Sequence, residues 1–309
     1  MTVALHPSIR AMLDRAQQAG IPALSAGTPA DARAIMETAR VALGDGVAAG
    51  SSTELTIPTR GGDITGTLLM PEGRPAGLVV YLHGGGWVVG SARDFDVLAR
   101  SLVAQSGCAL LLPDYRLAPE YPFPAALHDA EDALVWAWAE RARILGYAGP
   151  LIVAGDSAGG NLATVVARTV RDQVTLAGQV LIYPVTDTDL STRSYTAYGD
   201  ALGLTRADMH WFLNHYAAPE HWADPRIAPL RALDLAGLPP ATVVLAEYDV
   251  LHDEGAAYAS RLSAMGVAVT VRRYPGVTHG FIRLHSAVDT AAQAVADVAA
   301  DLRRFCSTP

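Results

Sequence analysis

A serine with glycine two residues away on each side can serve as a nucleophile, and the chain holds one in Gly155-Asp156-Ser157-Ala158-Gly159. Such a hydroxyl must project from a very sharp strand-to-helix turn in strained backbone geometry. Side chains two positions before and after would collide there, so both positions are glycine. The apolar run Leu151-Ile152-Val153-Ala154 leads into the motif, and a helical pattern from Ser157 to Val170 follows it. A helix starting at the serine aims its free N–H groups at the reacting centre, which makes the Ala158 amide a candidate donor to an oxyanion. A chance turn of small residues is the competing reading, and the strand–turn–helix context weighs against it.

A second glycine cluster closes the run LVVYL (78–82) as His83-Gly84-Gly85-Gly86-Trp87. Consecutive glycines permit backbone conformations that other residues resist, and let amides approach a ligand closely. The pattern matches the loop that supplies oxyanion donors in lipases and esterases. Gly84 and Gly85 are assigned as donors beside Ala158, with His83 supporting the loop rather than acting as base. A phosphate-binding loop is the rival, but the G-x-G-x-x-G spacing and the lysine and Ser/Thr of a P-loop are missing.

A serine nucleophile needs a base and an acid, which follow it in the order acid, then histidine, when the nucleophile sits in this kind of turn. The run TVVLA (242–246) leads into Glu247-Tyr248-Asp249-Val250-Leu251. A carboxylate at the carboxyl end of a strand lies where sites form in open α/β sheets, so Asp249 is the expected acid. Glu247 and Asp253 are rivals, and Asp253 is expected to cap the next helix. Of nine histidines, only His279 both follows the acid and occupies a loop after the last strand-like run, flanked by Gly276 and Gly280. His6 and His128 precede the nucleophile, His210, His215 and His221 sit in an aromatic segment, and His252 and His285 fall in or beside helices. The chemistry is acyl transfer: His279 takes the Ser157 proton, Asp249 holds the imidazole, and backbone amides receive the developing charge. It requires no metal or cofactor, and no His/Cys cluster has metal-ligand spacing.

The elements that must position these groups are legible as alternating runs. Strand-like segments are ELTIP (54–58), DITGTLLM (63–70), LVVYL (78–82), CALLLP (108–113), LIVAG (151–155), VLIYP (180–184), TVVLA (242–246) and VAVTVRRY (267–274). The first two form an expected hairpin around Gly61 and Gly62. The later runs are continuously apolar, as in strands buried on both faces. Helical patterns cover 125–145, 157–170, 253–265 and 286–305. Strands alternating with helices imply an α/β fold with a mostly parallel sheet. Residues 1–45 and 186–230 fall outside the alternation; the latter carries Tyr195, Tyr198, Trp211, Phe212, Tyr216 and Trp222. Both are expected to form a helical cap on one domain spanning 1–309. Trp87, Trp211, Phe212 and Phe281 are the candidates to line the substrate site.

Composition bounds the function. Half of the 309 residues are apolar and 17% are charged, so a large core can form. A net charge of -8 argues against a nucleic-acid partner. The first twenty residues lack a basic start followed by an apolar run, and no stretch of about 18 apolar residues occurs, so cytoplasmic residence without a membrane span is expected. Cys108 and Cys306, distant in sequence, are expected to be lone, inert thiols.

At these residues the chain resembles the bacterial hormone-sensitive-lipase-like esterases, or family IV. The resemblance rests on His83–Trp87 (HGGGW), Asp114–Glu120 (DYRLAPE), Gly155–Gly160 (GDSAGG), Asp249–Leu251 (DVL) and His279–Phe281 (HGF), in the family's order. One departure is Val250, where the family usually has proline. The resemblance implies an α/β-hydrolase fold with an eight-stranded sheet, a cap from the N-terminus and an insertion after strand six, and hydrolysis of short- to medium-chain esters. It implies pairing of two chains through the last strand, and a structural ion pair between Arg116 and Glu120. An amidase, lactonase or formamidase would use the same three residues. A ligand-binding receptor on this fold is the reading from another class, and the presence of all three residues speaks against it.

Overall fold

The computed structural model describes residues 4–200 and 202–307; residues 1–3 and 201 of the expected cap lie outside them. Eight strands form one sheet: β1 (Ser51–Ile57), β2 (Ile64–Met70), β3 (Leu78–Leu82), β4 (Ala109–Pro113), β5 (Leu151–Asp156), β6 (Gly178–Ile182), β7 (Ala241–Tyr248) and β8 (Val269–Thr278). Their order across the sheet is β1-β2-β4-β3-β5-β6-β7-β8, with β2 antiparallel to both neighbours and every later pair parallel. The chain is an α/β hydrolase in fold.

After β3 the chain moves outward to β4 and then returns to the other side of β3 as β5. The loops leaving β3 and β5 therefore diverge from adjacent strand ends, with Leu82 opposite Gly155. That switch in direction opens a crevice at the carboxyl ends of the strands. It brings the Gly84–Gly86 loop beside Ser157.

The helices cover both faces. The alternation along β3 is clean: Leu78, Val80 and Leu82 join one core with Leu134, Leu162 and Leu262, which come from α4 (Ala125–Leu145), α5 (Ala158–Thr169) and α8 (His252–Ala264). Val79 and Tyr81 point the other way, into a core with Leu98 and Leu102 of α3 (Asp96–Ser106) and Val295, Val298 and Leu302 of α9 (Asp289–Ser307). Sequence reading had not singled out α3. Its buried residues include small and polar ones such as Ala99 and Ser101, which blunt the apolar stripe.

The segments outside the alternation are helical. Residues 4–45 hold α1 (Pro7–Gln18) and α2 (Pro29–Ala42), and 186–230 hold α6 (Arg193–Tyr198) and α7 (Arg206–Tyr216). Thr28 and Asp31 form a capping box on α2, and Thr205 and Asp208 form one on α7. Asp208 also accepts the Ser25 amide at 2.9 Å, tying the N-terminal segment to α7.

Two expectations about pairing fail. Arg116 does not meet Glu120. Its Nε and Nη2 donate to Asp129 at 2.8 and 2.7 Å, and its amide donates to the same carboxylate at 2.9 Å. Glu120 instead accepts both terminal nitrogens of Arg33 at 2.7 Å. α4 brings the buried Asp129 to Arg116, and that carboxylate takes up the guanidinium. The two cysteines, expected to be lone, meet with their sulfurs 3.5 Å apart.

Candidate active site

Ser157 sits at the turn between β5 and α5 with φ +55° and ψ −119°, a conformation most side chains avoid. The surrounding backbone holds it there: its amide donates to Ile182 O at 2.9 Å, and its carbonyl accepts from Asn161 at 2.9 Å and Val185 at 3.2 Å. The flanking glycines have no space for a side chain. A Cβ on Gly155 would lie 2.3 Å from Gly159 O, and one on Gly159 would lie 1.9 Å from Leu82 O. The close passage of the two loops is thus built from atoms that only glycine leaves uncovered.

His279 follows β8 and Asp249 follows β7, two neighbouring strands. With its Nδ1 protonated, the imidazole donates to Asp249 Oδ2 at 2.7 Å, and Nε2 accepts from Ser157 Oγ at 3.0 Å. The other oxygen of Asp249 accepts the Leu251 amide at 2.9 Å, which fixes the carboxylate in its turn. Tyr183, strained at φ +35°, packs its ring 4.6 Å from that of His279.

The remaining acidic candidates hold the scaffold. Glu247 accepts the Gly276 amide at 2.8 Å, three residues before His279. Asp253, expected to cap its own helix, does not: α8 has no side-chain cap, and Asp253 accepts the Ser194 amide in the first turn of α6 at 2.9 Å. The Ser194 hydroxyl in turn donates to Val250 O at 2.6 Å. These bonds brace the turn that carries valine in place of proline.

The glycine loop corrects the sequence reading. Gly84 N–H donates to Asp156 Oδ1 at 2.9 Å and is therefore not free to face a ligand. Among the described residues no acceptor is found for the amides of Gly85, Gly86 or Ala158. Gly85 at φ +118° and Gly86 at φ +59° turn the backbone as glycine allows. His83 lies beneath the loop, stacked between Tyr115 and Phe95 at centroid distances of 4.3 and 5.5 Å. Its Nδ1–H donates to Gly84 O at 2.7 Å, and burial lowers its pKa, so a neutral ring supports the loop. The Tyr115 hydroxyl donates to His83 O at 2.7 Å. Asp156 is buried, accepts a second bond from the Tyr81 hydroxyl at 3.0 Å, and has its pKa pushed up to about 6 by desolvation.

The aromatic candidates divide. Trp87 is wholly buried and stacked on Tyr216 at 4.3 Å, and Phe281 is wholly buried against Tyr183 and Tyr274. Neither presents surface to a ligand, because both complete the core beneath the loops. Phe212 presses its ring on the loop: a Cβ on Gly86 would lie 2.2 Å from it. Trp211 lines a cavity of about 980 Å³ with Ala23, Ser25, Leu190 and His210. None of Ser157, Asp249 or His279 lines that cavity, so its size alone does not make it the reaction chamber.

Sequence reasoning missed Asp156, Tyr183, Ser194 and Gly86. Asp156 and Gly86 lay inside the two motifs already singled out, and Tyr183 lay in the run VLIYP; their orientations carried no separate signal. Among the described residues no group of three or more His, Cys, Asp or Glu could hold a metal ion.

A family model described as α/β-hydrolase fold matches residues 79–283. The chain is 40% identical to the carboxylic ester hydrolase LipN of Mycobacterium tuberculosis, over 82% of this chain and 70% of the relative. It is also 40% identical to an ethyl acetate hydrolase of Pseudomonas putida, over 82% of each. Among solved structures it resembles an esterase of the archaeon Pyrobaculum calidifontis, at TM-score 0.93 and 37% identity over 99% of this chain and 100% of that one. A thermostable esterase from Pseudomonas putida gives TM-score 0.94 and 34% identity over the whole of both chains.

Proposed function

The chain belongs to the α/β-hydrolase family, and on that premise we propose that it is a serine carboxylesterase in which Ser157, His279 and Asp249 form the catalytic triad. The observation that carries this reading is the continuous hydrogen-bonded chain from Ser157 Oγ through both ring nitrogens of His279 to Asp249.

Neutral His279 takes the hydroxyl proton through Nε2 as Ser157 Oγ attacks the ester carbonyl. Asp249 fixes the Nδ1–H tautomer and stabilises the imidazolium. The tetrahedral oxyanion is received by the amides of Gly85, Gly86 and Ala158, with Ala158 at the positive end of α5. His279 returns its proton to the leaving alcohol, and water then cleaves the acyl-enzyme by the same steps.

Finer parts of the reading rest on particular features. The motifs HGGGW, DYRLAPE, GDSAGG and HGF support the bacterial hormone-sensitive-lipase-like branch. The described residues of 1–45 and 186–230, joined by the Asp208–Ser25 bond, are read as a cap on one domain. Phe212 at the glycine loop closes space beside the reacting carbonyl and favours short or medium acyl chains. β8 lies at the edge of the sheet and supports pairing of two chains there. Among the described residues no helix is long and apolar enough to cross a membrane.

The test is hydrolysis of p-nitrophenyl esters of increasing chain length by the wild type and Ser157→Ala, with fluorophosphonate labelling of both. Turnover and labelling by the wild type and neither by the variant are expected. Labelling that survives in Ser157→Ala overturns the assignment.

A further inference from the structure

Outside the triad, two thiols stand together. Cys108, at the head of β4, is buried, and Cys306, in the last turn of α9, is half-buried. Their sulfurs are 3.5 Å apart, although 198 positions separate them in sequence. Gly77 leaves the room that Cys306 occupies, since a Cβ there would lie 2.6 Å from its sulfur. Ser106 Oγ accepts the Cys108 amide at 3.1 Å and holds the start of the strand in place. Phe305, the residue before Cys306, lies so close to Gly178 that a Cβ there would be 2.4 Å from its ring. The end of α9 is therefore seated, and its thiol is directed at its partner by packing on both sides.

We propose that Cys108 and Cys306 are a disulfide-forming site, closed by exchange with a low-molecular-weight disulfide, that clamps the end of α9 to β4. Cys306 is the less buried residue of the two and is the one assigned to meet an external reagent first. The bond to Cys108 and burial hold the Cys306 pKa up, so its sulfur gives up its proton only as it attacks the reagent's disulfide, forming a mixed disulfide at Cys306 and expelling one reagent thiolate. The Cys108 thiolate then attacks the Cys306 sulfur and expels the second reagent thiolate. The two protein thiols lose two protons and two electrons, and the reagent takes up both as two thiols. The bond from the Cys306 thiol lowers the Cys108 pKa in the reduced pair; once Cys306 carries the reagent, the Ser106 hydroxyl and Arg303 still favour the Cys108 thiolate as the resolving nucleophile, against its burial.

The closed loop would contain Ser157, Asp249 and His279, and it would restrict most of the unfolded chain. The clamp lies on the C-terminal helix, away from the triad. Closing it is thus expected to change unfolding and leave the ester reaction as it was.

Purified full-length protein is incubated with glutathione disulfide, then unfolded and alkylated, and its intact mass is measured. Expected are a mass lower by two hydrogens, no alkylation, and a Tm higher by on the order of 5 °C, all reversed by dithiothreitol. Cys306→Ser keeps one alkylatable thiol and Cys108→Ser stops at a glutathione adduct on Cys306; neither loses two hydrogens nor gains in Tm. Two alkylated thiols, a glutathione adduct that never resolves, or a closed disulfide without a rise in Tm each overturns the proposal.

Discussion

The Gly84 amide and the Asp156 carboxylate meet at 2.9 Å, so the residue before the nucleophile anchors the loop that faces it. One carboxylate oxygen binds both Gly84 and Tyr81, spanning the adjacent strands β3 and β5. Replacing Asp156 by alanine frees the loop and leaves two buried donors unpaired. The expected outcome is a fall in kcat of roughly tenfold to a hundredfold, below or near the loss of one oxyanion donor, with KM little changed. Steady-state kinetics on a butyrate ester checks it, and an unchanged kcat would detach Asp156 from the loop.

The same residue makes stability depend on pH. Desolvation raises its pKa from 3.8 to about 6 in the fold. Between those values the folded protein keeps a proton that the unfolded chain has lost, so this contribution to stability grows as pH falls. Asparagine does not titrate. Wild-type stability relative to Asp156→Asn should therefore rise by roughly 2 kcal/mol from about pH 7 to about pH 4, at up to about 1.4 kcal/mol per unit. Urea unfolding of both proteins across that range measures it, and parallel curves would contradict it.

Asp249→Asn should lower kcat by about 10⁴, because the amide permits the wrong imidazole tautomer. Asp253→Asn should leave kcat within about threefold, since Asp253 binds the Ser194 amide and not His279. Its effect belongs to α6 and to the turn at Val250. Should Asp253→Asn be the more damaging of the two, the acid has been placed on the wrong carboxylate.

What could be read without coordinates was what neighbours in sequence decide. The turn at Ser157 is set by glycines two residues away, and the parallel strands by continuous apolar runs such as LIVAG. Pairings made by the tertiary fold were hidden. Gly84 appeared free because Asp156, 72 positions onward, is brought to it only when β3 and β5 align. Arg116 appeared paired with Glu120, four residues away, because the approach of Asp129 on α4 leaves no local trace. Trp87 and Phe281 were candidates to line the substrate site, yet their side chains turn into the core.

The exchange of ion-pair partners separates two carboxylates by consequence. Asp129 is fully buried beneath Arg116, whereas Glu120 is about half exposed beside Arg33. Asp129→Ala should cost on the order of 3 kcal/mol, because it leaves a guanidinium and a backbone amide without their acceptor. Glu120→Ala should cost no more than about 1 kcal/mol, as for an exposed pair. Denaturant midpoints of the two variants decide it, and equal losses would contradict the pairing.

Gly86 and Phe212 should be coupled. Gly86 has φ +59°, and a Cβ there would lie 2.2 and 2.3 Å from two carbons of the Phe212 ring. An alanine at 86 must therefore meet two costs. The left-handed backbone costs roughly 1–2 kcal/mol, and the ring must either move or push the loop away. Because Gly86 offers its amide to the oxyanion in the proposed mechanism, a displaced loop would be felt in kcat before KM. Gly86→Ala is expected to lose on the order of a hundredfold in kcat, in the range of a lost oxyanion donor. Phe212→Ala removes the obstacle. In that background Gly86→Ala should cost only the backbone strain, so the double variant should be more active than Gly86→Ala alone. A double-mutant cycle on kcat measures the coupling. If the two effects simply multiply, Phe212 does not set the position of the loop.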